Sequence, residues 1–447
     1  MIADMKNENQ TPIIYRLQYL STFIVTLLLL TSLLMISACI PRSAIKQNVI
    51  KTADFLCEKP SIFPLIPGIS ASTVDRYADA ILMSVVYCWD EKNPFESVLW
   101  SRFYGEYSRT ENELFRESLL NEYEPNQEYL RYWHGSGIFL RFYHLFWSLR
   151  EIYYFNGAIM GVLIIWLLRL LWKNNLKGEA IATGICFSTV SIWFVPFCLE
   201  YTWVFLIMLA ASIFTVKMSV AHKLNRLGDV FLIIGMTTAF LDFLTAETVT
   251  LIIPLLLTMR LWETREKRRI WEYSVKSATL WFFGYSGMWI MKWILAGVML
   301  KQNVLPYVTG HIEERIGKYI GLSLPQYLQL AVLKNLIRIS PLQYGLLGGT
   351  LFILAVFTLL FIPVILNKVA LRKYINGNKI AIYALIGLIP YVRYLILHNH
   401  AVQHSFFTYR AQAASILALC FIILELIEPV RKAVNPHGSD NPHALPE

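Results

Sequence analysis

The sequence predicts an all-α membrane protein, a polytopic bundle of about ten transmembrane helices with a long loop after the first. Three observations predict this fold class. Of the 447 residues, 56% are hydrophobic and only 16% are charged, whereas about a quarter of the residues in a soluble domain are charged. The apolar residues come in continuous blocks of the length that crosses a bilayer, about 17–25 residues. These blocks lack the period of two that is typical of a membrane β-barrel.

Hydropathy along the chain places each span. The shortest, 247–259, needs part of the preceding turn to reach across the bilayer. The expected spans lie at about 18–39, 152–172, 180–197, 201–217, 228–245, 247–259, 277–298, 346–366, 380–397 and 407–427. The chain is thereby divided into an N-terminus (1–17), a first helix (18–39), a long loop (40–151), a bundle (152–427) with a second loop at 299–345, and a tail (428–447).

The basic residues orient these spans. The net charge of +9 and the pI near 9.1 could suggest nucleic acid, but the cations sit in short loops between spans, as the positive-inside rule requires. We therefore expect no nucleic-acid partner, a cell-membrane location, an even number of spans and two cytoplasmic termini. The loops that should share the cytoplasmic face carry Arg169, Lys173 and Lys177; Lys217, Lys223 and Arg226; Arg260, Arg265, Lys267, Arg268 and Arg269; Lys368, Arg372, Lys373 and Lys379; and Arg431 and Lys432.

Two features of the first 90 residues leave alternatives open. The first span ends in Ile36-Ser37-Ala38-Cys39, which resembles a lipoprotein cleavage box, although an apolar run of more than about 20 residues favours an uncleaved helix. Cys57 and Cys88 are both expected outside the cell, where a disulfide is chemically permitted. Whether or not the first span is cleaved, the segment that follows it is expected outside.

The two long loops are expected to cover the outer face of the bundle. Tyr77–Tyr87 and Phe103–Leu120 have helical apolar spacing but are too polar to span a bilayer. Gln326–Ile339, in the second loop, has a similar pattern. The sequence predicts that these segments are amphipathic helices at the outer interface.

Five polar clusters fall at the ends of apolar runs, always the ends away from the basic loops. Ionisable groups at mid-bilayer cost about 2.5–3.5 kcal/mol each on insertion scales, so several gathered at one face indicate a site. The clusters are Asp75 to Asp79, Arg131 to Gly135, Glu200-Tyr201, Asp242 to Glu247, and His398 to His400 with His404 and Arg410.

This arrangement suits transfer of a sugar from a polyprenyl phosphate whose head group emerges at the outer surface. Transfer needs a base for the acceptor hydroxyl, and positive charge or hydrogen-bond donors for the departing phosphate. Asp79 and Asp75 are the base candidates, four residues apart and so on one face of a helix. The phosphate candidates are Arg410, His404 and His400, and further substrate-binding candidates are His134, Asp242, Glu247, Glu200 and Lys292. Lys292 either extends to the membrane surface or pairs with Asp242 or Glu247.

The sequence identifies no definite cofactor, and a divalent cation is the one candidate. No spacing suggests a metal cage, but His398, His400 and His404 could ligate a divalent cation. The alternative is that these histidines form hydrogen bonds at the interface.

Several short motifs carry a resemblance to a known architecture: Tyr129-Leu130-Arg131-Tyr132-Trp133-His134-Gly135, Leu241-Asp242-Phe243-Leu244-Thr245, Gly284 to Trp293, and His398 to Arg410. They resemble a family of bacterial multi-pass proteins similar to the GT-C glycosyltransferases. That resemblance implies a hexosyltransferase with a polyprenyl-phosphate-linked sugar donor, an envelope glycan or lipid acceptor, and a catalytic acid in the first outer loop. Asp79 matches that position best, then Asp75. The adjacent acidic pair usual in GT-C enzymes is absent, because Ala80 follows Asp79.

Two other functions compete with the transferase. The first is a transporter or flippase of a lipid-linked envelope precursor, a class that tends to show inverted repeats and broken midplane helices. The second is a non-catalytic membrane assembly factor, against which a deep polar cavity lined by the five clusters would count.

Overall fold

The computed structural model describes residues 12–106, 109–223, 226–261, 267–317, 321–366 and 377–434, and this part of the chain is almost entirely helical. The helices are α1 Pro12–Ala38, α2 Arg42–Cys57, α3 Arg76–Cys88, α4 Pro94–Trp100, α5 Glu111–Asn121, α6 Gly137–Tyr143, α7 Leu149–Lys173, α8 Lys177–Thr189, α9 Leu199–Val220, α10 Leu227–Leu241, α11 Thr248–Leu261, α12 Lys267–Leu300, α13 Leu305–Ile316, α14 Leu324–Leu336, α15 Gly345–Leu366, α16 Gly377–Gly387, α17 Ile389–Ile396, α18 His398–Gln403, α19 Ser405–Thr408 and α20 Ala413–Val434. Short 3-10 turns lie at Ser70–Ser72, Ile192–Phe197, Leu342–Tyr344 and Tyr409–Gln412. The strands β1 (Ile62–Pro64) and β2 (Thr73–Asp75) form an antiparallel pair that registers Ile62 with Asp75.

The apolar helices support a membrane protein. In the described part of the chain, six helical segments are long and apolar enough to cross a bilayer: Leu17–Ala38, Leu149–Lys173, Leu199–Val220, Trp271–Leu300, Gly377–Ile396 and Ser405–Ile427. They coincide with six of the ten expected spans. Three more expected spans coincide with shorter apolar helices, at Leu227–Leu241, Thr248–Leu261 and Leu342–Thr358.

The remaining expected span, 180–197, is interrupted. Helix α8 ends at Thr189, Ser191 has a left-handed backbone with φ of 52°, and a 3-10 turn containing Pro196 follows. Proline lacks a backbone N–H and cannot continue an α-helix of hydrogen bonds, so hydropathy alone merged two short elements into one.

The apolar helices form a central layer and a periphery. In α9 and in Ser405–Ile427, 61% of the most apolar stretch of 18 residues is buried, whereas the share is 17% in α1 and 22% in α7. Large side chains on the peripheral helices, such as Leu28, Ile165 and Phe283, are exposed, as expected for surfaces that face lipid. Glycines allow close approach of α10 and α12: a Cβ on Gly235 would lie 2.0 Å from the Trp281 carbonyl oxygen.

The long first loop packs onto one end of the bundle. Helix α3 confirms the helix expected at Tyr77–Tyr87, and α14 confirms most of the one expected at Gln326–Ile339. The expectation for Phe103–Leu120 was partly wrong. Phe103 pairs with Gln127 through backbone hydrogen bonds, and α5 begins only after Thr110, which supplies a capping box.

The same region bears on the cysteine alternative. Cys57 and Cys88 are both free thiols, so no disulfide joins them in this structure. The Cys57 thiol donates to the Asn112 carbonyl oxygen at 3.3 Å.

The opposite end of the bundle is held by a buried ion network. Arg260, at the end of α11, lies 2.5 Å from Glu179 of α8 and also contacts Glu425 of α20. Lys379 of α16 approaches Glu425 at 3.5 Å. These residues lie at or near the helix ends next to the basic loops, and we call this the basic end. Helix α11 alone has 14 residues, about 20 Å of helix, and it separates this network from the polar clusters.

Candidate functional site

A cavity of about 280 Å³ lies at the end of the bundle opposite the basic end. Each of the five polar clusters contributes a lining residue: Asp75, Arg131, Glu200, Phe243 and His404. These residues come from five separate segments of the chain. Four clusters contribute polar residues, whereas Asp242 to Glu247 contributes only Phe243. The expected convergence is therefore seen in part, and several of the individual residues singled out from the sequence lie outside the cavity wall.

The cavity wall contains buried polar atoms that have no hydrogen-bond partner within the described residues. They are both ring nitrogens of His134, Nδ1 of His400, Oε2 of Glu200 and Nε of Arg131. Most buried polar side-chain atoms in proteins are hydrogen-bonded to protein or ordered water. These five atoms can therefore bond a polar ligand or water that enters the cavity.

Asp75 brings a carboxylate to this cavity. It is the N-cap of α3, and its Oδ1 accepts the backbone N–H of Ala78 at 2.9 Å, which satisfies one free donor of the first helical turn. It is only 4% exposed. Burial raises the pKa of Asp75 to about 7, the Ala78 N–H opposes this rise, and the nearby charge of Asp79 adds to it. Asp75 precedes α3, so it does not share a helix face with Asp79 as the spacing suggested.

Asp79 does not line the cavity. Its carboxylate is fully buried and accepts backbone N–H groups of Leu199 at 2.9 Å and Glu200 at 3.3 Å. It also accepts the hydroxyl of Tyr153. Burial raises the pKa of Asp79 to about 6 despite these bonds. Asp79 therefore joins α3 and α7 to the first turn of α9, which carries Glu200 to the cavity.

The cationic groups of the cavity are Arg131 and Arg315. Arg131 donates to the Tyr129 hydroxyl at 3.0 Å and forms an ion pair with Glu314 at 3.2 Å. Its guanidinium lies 4.8 Å from the Tyr129 ring centroid and 5.1 Å from that of Tyr132, which fixes its orientation. Arginine offers a planar fork of donors that matches phosphate oxygens.

The cavity histidines are neutral at physiological pH. Burial holds the pKa of His134 and of His400 well below the ordinary value, and burial together with the charges of Arg315 and Arg131 lowers the pKa of His404 to about 4. They can therefore donate or accept hydrogen bonds but do not supply positive charge. Among the described residues, no group of three or more His, Cys, Asp or Glu side chains could hold a metal ion, so the three neighbouring histidines of the sequence do not form a triad.

Arg410, the expected phosphate ligand, lies away from the cavity. It is fully buried and donates to the carbonyl oxygens of Ala71 at 3.0 Å and Phe406 at 3.2 Å. Its guanidinium also contacts the Tyr201 ring at 4.9 Å. These contacts join the last span to the turn before β2 and involve neither Asp242 nor Glu247. Nε of Arg410 has no hydrogen-bond partner within the described residues.

The other three expected binding residues also have structural partners. Asp242 caps its own turn, accepting the Thr245 N–H at 3.1 Å, and Glu247 pairs with Arg393 at 2.6 Å. Lys292 neither reaches the surface nor pairs with these acids. Its ammonium donates to the carbonyl oxygens of Val98 at 3.2 Å and Leu99 at 3.0 Å.

Sequence reasoning did not assign roles to Arg131, Arg315 or Glu314, which the structure places at the cavity. Arg131 stands in the aromatic motif from Tyr129 to Gly135, and that motif was the available signal. A second signal is visible only in the structure, because His134 has a left-handed backbone with φ of 54°, a conformation that is uncommon outside glycine and recurs at functional sites. Nothing in the sequence marked Arg315 or Glu314 above the other charges of the second loop.

Comparison with known proteins adds no relative to this description: no protein-family model, no curated protein and no solved structure matches the chain.

Proposed function

We propose that this protein is an integral-membrane glycosyltransferase of GT-C-like architecture. It would cross the membrane ten times with both termini in the cytoplasm, so that the cavity opens on the outer face. There it transfers a sugar from a polyprenyl-phosphate donor to an envelope glycan or lipid. The six apolar spans and the separation of the basic end from the cavity support this layout.

The observation that carries the proposal is the chemical division of the cavity wall. Three carboxylates, Asp75, Glu200 and Glu314, line the same cavity as two guanidinium groups, Arg131 and Arg315. Glu314 is paired with Arg131, so Asp75 and Glu200 are the carboxylates of the cavity that have no cationic partner within the described residues. Sugar transfer from a phosphate-linked donor needs one carboxylate to take the proton of the acceptor hydroxyl. It also needs cations to stabilise the phosphate that leaves, whereas no acid is required for that group.

Within this function we assign the base to Asp75. Its carboxylate reaches the cavity, and its pKa of about 7 lies near the operating pH, where a general base is most effective. Asp79 is a positioning residue, because it accepts the backbone N–H of Glu200 and so helps to place that residue at the cavity. Arg131 and Arg315 take the phosphate role first expected for Arg410, while His134, His400 and His404 offer neutral hydrogen bonds to the sugar hydroxyls.

The experiment compares Asp75→Asn with Asp54→Asn, a control at an exposed carboxylate that pairs with Arg116 away from the cavity. Purified protein is incubated with a panel of polyprenyl-phosphate hexoses and an envelope lipid extract, and labelled product is counted. We expect Asp75→Asn to lower the transfer rate at least ~100-fold and the control to leave it unchanged. Near-normal transfer by folded Asp75→Asn would refute the assignment. If every hexose donor binds but none reacts, the transporter alternative gains support.

A further inference from the structure

The ion pair between Arg131 and Glu314 lies at the rim of the cavity, where a side chain of the protein itself holds a position that a bound anion could take. We propose that Arg131 and Arg315 form a phosphate-binding site and that, in this structure, the carboxylate of Glu314 occupies the donors of Arg131. A phosphoryl group that enters the cavity would displace Glu314 and release the C-terminal turns of helix α13 from the rim. The inference rests on the proposed function only for the identity of the anion, a lipid-linked phosphate.

The contacts of Glu314 resemble those that a bound anion would make. Its Oε2 accepts from Arg131 at 3.2 Å and lies 3.1 Å from Nδ1 of His311. The same Nδ1 lies 3.0 Å from Nη1 of Arg131, and it either accepts from Arg131 or, when it carries the proton, donates to Glu314. Burial, the largest influence, would raise the pKa of Glu314, but the His311 hydrogen bond and the charges of Arg315 and Arg131 lower it overall. The carboxylate is therefore ionised at neutral pH.

The two arginines are available to a stronger ligand. The Glu314 side chain is 49% exposed, against 17% for Arg131, and ion pairs with an exposed partner are weak. Nε of Arg131 has no partner within the described residues. Arg315 lines the same cavity, and its charge acts on Glu314. A phosphate carries more charge than a carboxylate and can accept from both arginines at once.

Helix α13 buries few of its own side chains, although Tyr307 packs against the cluster of Trp100, Leu130 and Ala296 and His311 contacts Arg131. Of its twelve residues, Val308 is the one that is buried, whereas Leu305, Ile312 and Ile316 are exposed. The backbone of Glu314 makes one further contact, since its carbonyl oxygen accepts from the Asn399 amide at 2.6 Å. Loss of the Glu314 ion pair should therefore loosen the C-terminal turns of α13, because Ile312 and Ile316 are exposed there and little apolar burial opposes movement.

Neighbouring glutamates on α13 provide a matched test. Glu314→Gln removes the charge that pairs with Arg131, and Glu313→Gln makes the same chemical change at an exposed residue one position earlier. Hydrogen exchange of segment 305–316 and binding of farnesyl phosphate are measured for both variants and the unmodified protein in detergent. Inorganic phosphate alone forms a separate arm.

We expect farnesyl phosphate to speed exchange of 305–316 in the unmodified protein and in Glu313→Gln. In Glu314→Gln exchange should already be fast, and farnesyl phosphate should bind about two- to fivefold more tightly, the range that an exposed ion pair implies. If inorganic phosphate has the same effect at the same concentration, the anion site is supported but its ligand is free phosphate. Unchanged exchange and unchanged affinity in Glu314→Gln would overturn the proposal.

The readouts separate this inference from the proposed function. Binding and exchange do not depend on turnover, so an inactive but phosphate-binding protein would refute the transferase and leave the Glu314 exchange standing. A working transferase in which Glu314→Gln behaves as Glu313→Gln would refute the Glu314 exchange and leave the transferase standing.

Discussion

Asp75 stands between two environments, since its carboxylate caps α3 and also lines the cavity. With a pKa of about 7, the group is largely protonated below neutral pH and cannot act as a base there. The transfer rate should therefore fall as the pH is lowered through 7, by about tenfold for each further pH unit. A pH–rate profile between pH 5 and 8.5 checks this, and a flat profile would exclude Asp75 as the base.

The same shift has a consequence for stability. The folded pKa of about 7 lies above the ordinary value of 3.8, so the folded protein binds the proton more tightly than the unfolded chain does. The favourable contribution of protonated Asp75 is complete below about pH 4 and is lost as the pH rises through 7. The fold therefore disfavours the ionised form of Asp75, and strongly shifted pKa values of this kind are typical of functional sites.

At the scale of elements, the junction of α3, α7 and α9 depends on Asp79. Asp79→Asn keeps Oδ1 as an acceptor for the N–H groups of Leu199 and Glu200. It removes the negative charge and replaces Oδ2, which accepts from Leu199 N–H and the Tyr153 hydroxyl, by an NH2 donor. Loss of such a buried hydrogen bond costs about 1–3 kcal/mol. We expect a lower unfolding temperature in detergent, whereas Tyr153→Phe, which removes only the hydroxyl, should have a smaller effect.

Asp79→Asn also provides a readout that a purely structural role would not move. The charge of Asp79 contributes to the raised pKa of Asp75, so its removal should shift the acid limb of the pH–rate profile to lower pH. If Asp79 were itself the base, the limb would disappear with the activity instead. A limb shifted to lower pH therefore indicates a positioning residue, whereas loss of the limb together with the activity indicates a catalytic one.

At the scale of the whole molecule, orientation follows from the separation of charge. In a cysteine-free background, Lys92→Cys is placed in an exposed turn of the long first loop and Lys177→Cys in an exposed position at the basic end. An impermeant thiol reagent applied to intact cells should label the cysteine at 92 and spare the one at 177. Labelling of position 177 alone would invert the proposed topology and place the cavity in the cytoplasm.

The sequence by itself determined the class of protein, the six long apolar spans and the meeting of five polar clusters at one end. These properties depend on burial of apolar length and on the cost of charge near hydrocarbon, and both are visible residue by residue. The roles of single charged residues were decided only by tertiary structure. Arg410, Lys292 and Asp79 find backbone partners from segments distant in the chain, whereas Arg131 and Arg315 reach the cavity. Hydropathy shows that a charged residue in an apolar segment needs a hydrogen-bond or ion-pair partner. The identity of that partner depends on which segments the fold brings within about 3 Å of it.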